Sequence, residues 1–282
     1  MATATAGLAT PAAVPALGVK AGITGTLHSE FTKIRSVRST YWSLILLVLA
    51  GFAWTVADCL GTAYKWPHMA AQDKIGFDAT QTSITGVALL GQLVILVLGT
   101  LALTSEYSTG MISTSLAVMP RRAVLYWSKA AVFAAVSVVI AVATSLAVFL
   151  VGQSLLHSTG ESASLSQPGA LRAVLLTGLF VALSGAMAYG LGAIGRNTAG
   201  GITASFGLMF LLPQLAKALP SAWYADLERW LPGGNILPAI TSSQSQLLNP
   251  HMFSAWGEFA VFGGYAVILL GIGALLFSRR DA

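Results

Sequence analysis

Residues 104 to 122 read Thr-Ser-Glu-Tyr-Ser-Thr-Gly-Met-Ile-Ser-Thr-Ser-Leu-Ala-Val-Met-Pro-Arg-Arg, a compact polar and basic run between two long apolar stretches. By itself the run reads as a tight turn of chain at one membrane face, and partners for catalysis are missing. The four histidines, His28, His68, His157 and His251, are scattered over separate segments, so spacing assembles neither a metal site nor a Ser-His-Asp set. The Gly-x-x-x-x-Gly-Lys-Ser/Thr loop that cradles phosphates is missing, as is His-Glu-x-x-His. The single cysteine, Cys59, has no partner for an internal disulfide and reads as a small apolar filler.

Within the run, Glu106 ends a charge-free stretch from Ala79 to Ser105. Gly110 permits a turn. Met111, Ile112, Leu116 and Val118 give a short helix with one apolar side, and Pro120 stops it. Arg121 and Arg122 mark the return to the membrane face before a second charge-free stretch, Ala130 to Gly160. Both ends of the run therefore sit at one face, and its side chains are available there.

The elements that position this turn follow from composition. The chain is 55% hydrophobic and 9% charged with a mean hydropathy of +0.75. Soluble domains carry roughly 25% charged residues, so this surface is built for lipid. Six windows reach the 20 or so apolar residues that a helical span needs. They fall at about 41–60, 84–104, 124–150, 173–194, 200–218 and 259–277. Continuous apolar runs exclude the alternating strands of a membrane barrel, and helices satisfy their own backbone in hydrocarbon. The expected fold is an all-α membrane protein of six transmembrane helices, a single domain over 23–282 after a disordered tail over 1–22.

Lys and Arg set the orientation. With the amino terminus inside, inner segments hold Lys20, Lys33, Arg35, Arg38, Arg121, Arg122, Lys129, Arg196, Arg279 and Arg280. Outer segments hold Lys65, Lys74, Arg172, Lys217 and Arg229. Both termini are expected in the cytoplasm, with the protein multi-pass in the plasma membrane. The first nineteen residues lack the basic start of a signal peptide. The pI near 9.5 reflects this asymmetry and carries no implication of nucleic acid.

Leu27, Phe31, Ile34 and Val37 recur at helical spacing just before the first span, with Glu30, Lys33, Arg35 and Arg38 away from that face. A basic amphipathic helix in that position lies in the membrane interface, its cations facing lipid heads. In the fourth window Gly178, Ala182, Ala186 and Gly190 repeat at four, a small-residue stripe fit for close packing within the chain or across a dimer. Asp58 and Glu258 lie near span ends, and no span centre carries Lys, Arg, Asp or Glu, which weakens a proton relay or an ion-coupled carrier. Trp223 to Leu231 reads as an interfacial helix, and Ile236 to Leu248 is semi-apolar but too short to span.

The sequence Ser29-Glu-Phe-Thr-Lys-Ile-Arg-Ser-Val-Arg-Ser-Thr-Tyr-Trp42, and Glu106-Tyr107-x-x-Gly110 followed by an apolar run and Pro120-Arg121-Arg122, resemble type 2 ABC transporter permeases, and in detail actinobacterial members. The resemblance implies the membrane subunit of an ATP-driven exporter. It makes Glu106, Tyr107, Gly110, Met111, Ile112, Pro120, Arg121 and Arg122 the coupling helix and its flanks, docked on a separate ATPase. It makes Phe31, Lys33, Arg35 and Arg38 the interfacial helix, and the region between spans five and six an external re-entrant segment. It implies a second permease copy, identical or related, surrounded by membrane lipid. ATP and Mg belong to the ATPase, with no cofactor in this chain. A polytopic intramembrane enzyme or sensor, and an ion-coupled secondary carrier, are the alternatives.

Overall fold

The computed structural model describes residues 23–112, 116, 121–228, 230–232, 236–242 and 253–279. Among these the regular structure is helical, with no strand. Six helices are long and apolar enough to cross a membrane: span 1 Arg38–His68, span 2 Ala79–Ser108, span 3 Arg122–Thr159, span 4 Ala170–Gly195, span 5 Thr198–Ala216 and span 6 Ala255–Arg279. All six overlap the apolar windows. They run past them because a helix does not stop where hydrocarbon stops. The 38 residues of span 3 would extend roughly 57 Å at 1.5 Å per residue, well beyond a 30 Å apolar layer.

Span 4 is the centre of the bundle. Of its apolar window 78% is buried, against 22% for span 1 and 17% for span 6. It packs on spans 2, 3 and 6. Small residues make this possible. A Cβ at Gly178 would sit 2.5 Å from Val142 Cα on span 3, and one at Gly190 would sit 2.7 Å from the Leu269 carbonyl carbon on span 6. Gly99 of span 2 meets Gly185 backbone to backbone. Ala182 and Ala186 are buried as well, so the stripe at 178, 182, 186 and 190 is taken up inside the chain. The Phe180 and Phe262 rings, 4.8 Å apart, fill the space beside it.

Two spans depart from α geometry. Span 2 contains a π turn at Val87–Gly91, and span 5 one at Gly207–Leu211. In span 5 the cause lies just downstream: Pro213 has no N–H and its ring crowds the preceding turn, which widens to absorb it. Around that turn Ile202, Phe206, Phe210, Leu211 and Gln214 border an open apolar groove of about 610 Å³. Spans 4 and 5 are joined by a corner of two residues. Arg196 takes the left-handed conformation at φ 51, and the Asn197 side chain accepts hydrogen bonds from the backbone N–H of Ala199 and Gly200 at 2.9 and 3.3 Å.

Outside the spans, helix Ile23–Ser36 precedes span 1 and is separated from it by extended Val37. Helix Ser221–Glu228 comes after span 5, with Trp223 largely exposed. A six-residue helix, Ile236–Thr241, is almost wholly buried between spans 2, 4 and 6. The rest of the semi-apolar stretch, from 243 to 248, lies outside the described residues.

Candidate coupling site

Helix Ile23–Ser36 rests on spans 1 and 3. Glu30 and Lys33 are three residues apart, so they share a face, and Lys33 Nζ reaches Glu30 Oε1 at 2.9 Å. Sequence spacing turns this polar face toward lipid heads. The structure turns its Glu30 edge into the protein: Glu30 is 3% exposed, whereas Phe31, from the apolar face, is 51% exposed. The reason lies on the neighbouring spans. Lys129, in the second turn of span 3, sends Nζ to Glu30 Oε2 at 2.6 Å and to Glu106 Oε1 at 2.8 Å. Glu106 is near the last turn of span 2 and also receives Lys33 Nζ at 3.3 Å. A carboxylate and an ammonium placed at the ends of two apolar spans would each be costly alone. The pre-span helix supplies the other half of the set.

The result is a cluster of two carboxylates and two ammoniums, neutral in sum, joining three chain segments. Burial disfavours the charged form of Glu30, but the Lys129 ammonium and the hydrogen bonds from Lys129 and Lys33 outweigh it and hold the carboxyl below its ordinary value. For Lys33, burial pushes downward, and the Glu30 hydrogen bond with the charges of Glu106 and Glu30 brings the net shift above the ordinary lysine value. Such a cluster contributes little net stability over an apolar equivalent, yet removing one member is costly. It fixes which segments lie together.

Directly beyond Glu106 the chain turns. Tyr107 lies half-buried with the Arg196 guanidinium 5.5 Å from its ring centre, and its ring meets Phe277 of span 6 edge-on. Gly110 has φ +68, a left-handed conformation that favours glycine, which explains glycine at this turn. Met111 and Ile112 then part company. Met111 is 50% exposed, while Ile112 is 6% exposed and joins Leu103, Leu125, Tyr126, Tyr189 and Phe277 in a core cluster of its own chain. Leu116 packs at the edge of the same cluster. Ile112 therefore anchors the turn to the bundle. Consecutive helical residues point about 100° apart, so one of the pair had to face inward. Tyr126 and Tyr189 brace the anchor through hydrogen bonds to backbone, Tyr126 Oη to Leu270 O and Tyr189 Oη to Tyr126 O, each 3.0 Å.

Of the other expected residues, Arg38 and Arg121 are exposed and Arg122 is half-buried. The side chain of Arg35, and Pro120 with positions 113–115 and 117–119, lie outside the described residues. Sequence reasoning missed the meeting of Glu30, Glu106 and Lys129. The available signal was position: Glu106 directly follows one charge-free stretch and Lys129 directly precedes the next. No group of three or more His, Cys, Asp or Glu that could hold a metal occurs among the described residues.

Six apolar spans, one of them a glycine-lined central helix, with an ionic cluster binding a pre-span helix to the end of span 2, are the layout of a multi-pass membrane protein. A family model described as ABC-2 family transporter protein matches residues 26–212, which includes both the pre-span helix and the turn, and the chain belongs to that family. It is thereby the membrane subunit of an ABC transporter, a family that generally works with an ATP-binding cassette ATPase. A search of curated proteins returns no match.

Proposed function

We propose that the chain is the permease of an ATP-driven exporter in the plasma membrane, acting as two copies and driven by separate ATPase subunits. Both termini lie on the cytoplasmic side, as the distribution of Lys and Arg requires. The sequence holds no phosphate loop, so hydrolysis belongs to the partner. The observation that carries the reading is the ionic cluster: Glu106 is four residues before the exposed turn at Gly110, and through Lys129 and Lys33 it is tied to the pre-span helix. A push on the exposed side of the turn at Met111 is transmitted at once to spans 2 and 3 and to the helix before span 1. Ile112 keeps the turn attached to the bundle while Met111 meets the ATPase.

The test is co-expression with an ATP-binding cassette ATPase taken from the same source. The native chain should co-purify with it and export should depend on ATP. Met111→Asp should insert and accumulate normally yet lose the ATPase. Retention of the ATPase and full export by that variant would remove the coupling assignment, and ATP hydrolysis by the rigorously pure chain would remove the subunit reading altogether.

A further inference from the structure

Span 2 holds a polar contact at each end. At the end opposite Glu106, Asp78 begins the helix. Its Oδ1 accepts the Gln81 backbone N–H at 3.1 Å, and its Oδ2 accepts the Ser242 hydroxyl at 3.0 Å. Ser242 directly follows the buried helix Ile236–Thr241, and its carbonyl accepts Arg172 Nη2 from the start of span 4 at 3.1 Å. Six residues are too few for a helix to persist by itself. The seat of this helix is therefore set by its surroundings: apolar contacts of Ile236, Ala239 and Ile240, and the polar pair that Asp78 and Arg172 make with Ser242.

Between its ends span 2 has little freedom to bend sideways. A Cβ at Gly86 would sit 2.7 Å from Trp54 Cβ, and one at Gly51 would sit 2.8 Å from Val87 Cγ2, so the π turn is pressed against span 1. Thr55 Oγ1 donates to Ser83 O at 2.7 Å, and Gln153 Nε2 donates to Ala79 O at 3.0 Å. Farther along, Gly99 abuts Gly185, and Thr198 Oγ1 bonds Thr104 Oγ1 at 2.9 Å. Contacts spaced along its length in this way couple the two ends of the helix. A hydrogen bond of 3.0 Å is lost with a displacement of about 1 Å.

We propose that span 2 is a rigid link whose Glu106 end is set by the ionic cluster and whose Asp78 end holds or releases the Ile236–Thr241 helix through Ser242. The pre-span helix and the buried helix on the opposite side are then one device, with Asp78, Ser242 and Arg172 as positioning residues at its far end. The distance between the two ends is roughly 42 Å at helical rise, so no direct contact can substitute for the link. This deepens the permease reading and rests on it for its purpose, but its test needs no ATPase. Failure of the test leaves partner capture by Met111 untouched, and the reverse holds too.

The experiment places a reporter at Thr241, which is 2% exposed, as Thr241→Cys in the otherwise native full-length chain in lipid vesicles. Labelling by an impermeant thiol reagent is timed, with the unsubstituted chain as blank for buried Cys59. Asp78→Asn should speed labelling about tenfold by unseating the helix locally. Glu106→Gln, at the other end, should speed it at least about threefold, because energetic coupling acts between distant sites. Ser145→Ala removes a buried hydrogen bond to Val174 O without touching span 2, and it should leave the rate unchanged. If Glu106→Gln fails to accumulate, Lys33→Gln at the half-exposed member of the cluster replaces it with the same expectation. A cluster variant that accumulates yet labels at the native rate overturns the proposal. So does equal acceleration by Ser145→Ala, which would mean general loosening.

Discussion

Lys129 Nζ lies 2.6 Å from Glu30 Oε2, although Glu30 belongs to a helix that precedes the first span and Lys129 to the third. The contact ties the amino-terminal segment to the middle of the chain, and its energetics decide how the fold responds when one side is removed. Lys129→Ala would leave Glu30 and Glu106 buried with only half-exposed Lys33 between them. The expected loss is about 3–5 kcal/mol. Replacing all three of Glu30, Glu106 and Lys129 with Gln, Gln and Met should recover part of it, since no buried charge then lacks a partner. Thermal unfolding of the purified chain in detergent checks both; equal stability of Lys129→Ala and the native chain would show the cluster to be energetically idle.

The cluster has a pH window. Glu30 titrates below its ordinary value when folded, so its contribution is present above that value and is lost as pH falls through the folded one. Lys33 titrates above its ordinary value, so its contribution is present below that value and is lost as pH rises through the folded one. Spin labels at Thr32→Cys and Ser108→Cys, both exposed positions, should report a fixed separation at neutral pH and a broadened one in strong acid. The acid limb should shrink in Glu30→Gln, which removes one of the cluster's two carboxyls. An unchanged acid limb in that variant would assign the transition to another group.

Met111 and Ile112 should separate under the same substitution. Ile112→Asp puts an unpaired charge into a core cluster and should cost about 3 kcal/mol or more of chain stability. Met111→Asp alters a half-exposed side chain and should change stability by less than about 0.5 kcal/mol. Accumulation in membranes and thermal unfolding distinguish them, and matching losses in both would contradict the inward and outward placement.

Gly178→Leu and Gly99→Val test the central packing. Each new side chain would meet backbone, Val142 Cα in one case and the Gly185 carbonyl in the other, so spans must part and folded yield should fall sharply. Gly263→Ala, whose added Cβ meets nothing within 4 Å, should be neutral. Yield of monodisperse chain from detergent extraction is the measure.

Topology is tested by labelling from outside whole cells. Ser166→Cys, an exposed position between spans 3 and 4, should react, and Ser108→Cys and Ser278→Cys should not. Reaction at Ser108 would invert the bundle.

The features legible in the sequence are those dictated by physics that acts locally. Twenty apolar residues without a charge have one outcome in lipid, so the six spans were legible from windows such as Ala79–Ser105. The turn at Gly110 was legible because few residues other than glycine tolerate its conformation. The cluster was not, because Glu30, Glu106 and Lys129 are brought together only by tertiary packing, and each one alone reads as a charge at a membrane face. Phe31 shows the same limit. Helical spacing separates an apolar from a polar face but does not say which face meets the protein; buried partners decided that. The inward placement of Ile112 was not legible for a neighbouring reason, since an apolar residue in a short helix has two greasy surfaces to choose from.

The crossing at Gly190 has a consequence for how the chain is made. The residue it lies against, Leu269, belongs to span 6, which leaves the ribosome after the other five. Spans 2 and 3 can close on span 4 as soon as it enters the bilayer, through Gly99 against Gly185 and Val142 against Gly178. The Gly190 side must wait, covered by lipid, until span 6 arrives. Assembly in the membrane is thus ordered, and the docking of span 6 is a lipid-to-protein exchange at Gly190. A chain halted after span 5 would expose that surface as a fresh handle for quality-control proteases that recognise unpacked membrane helices.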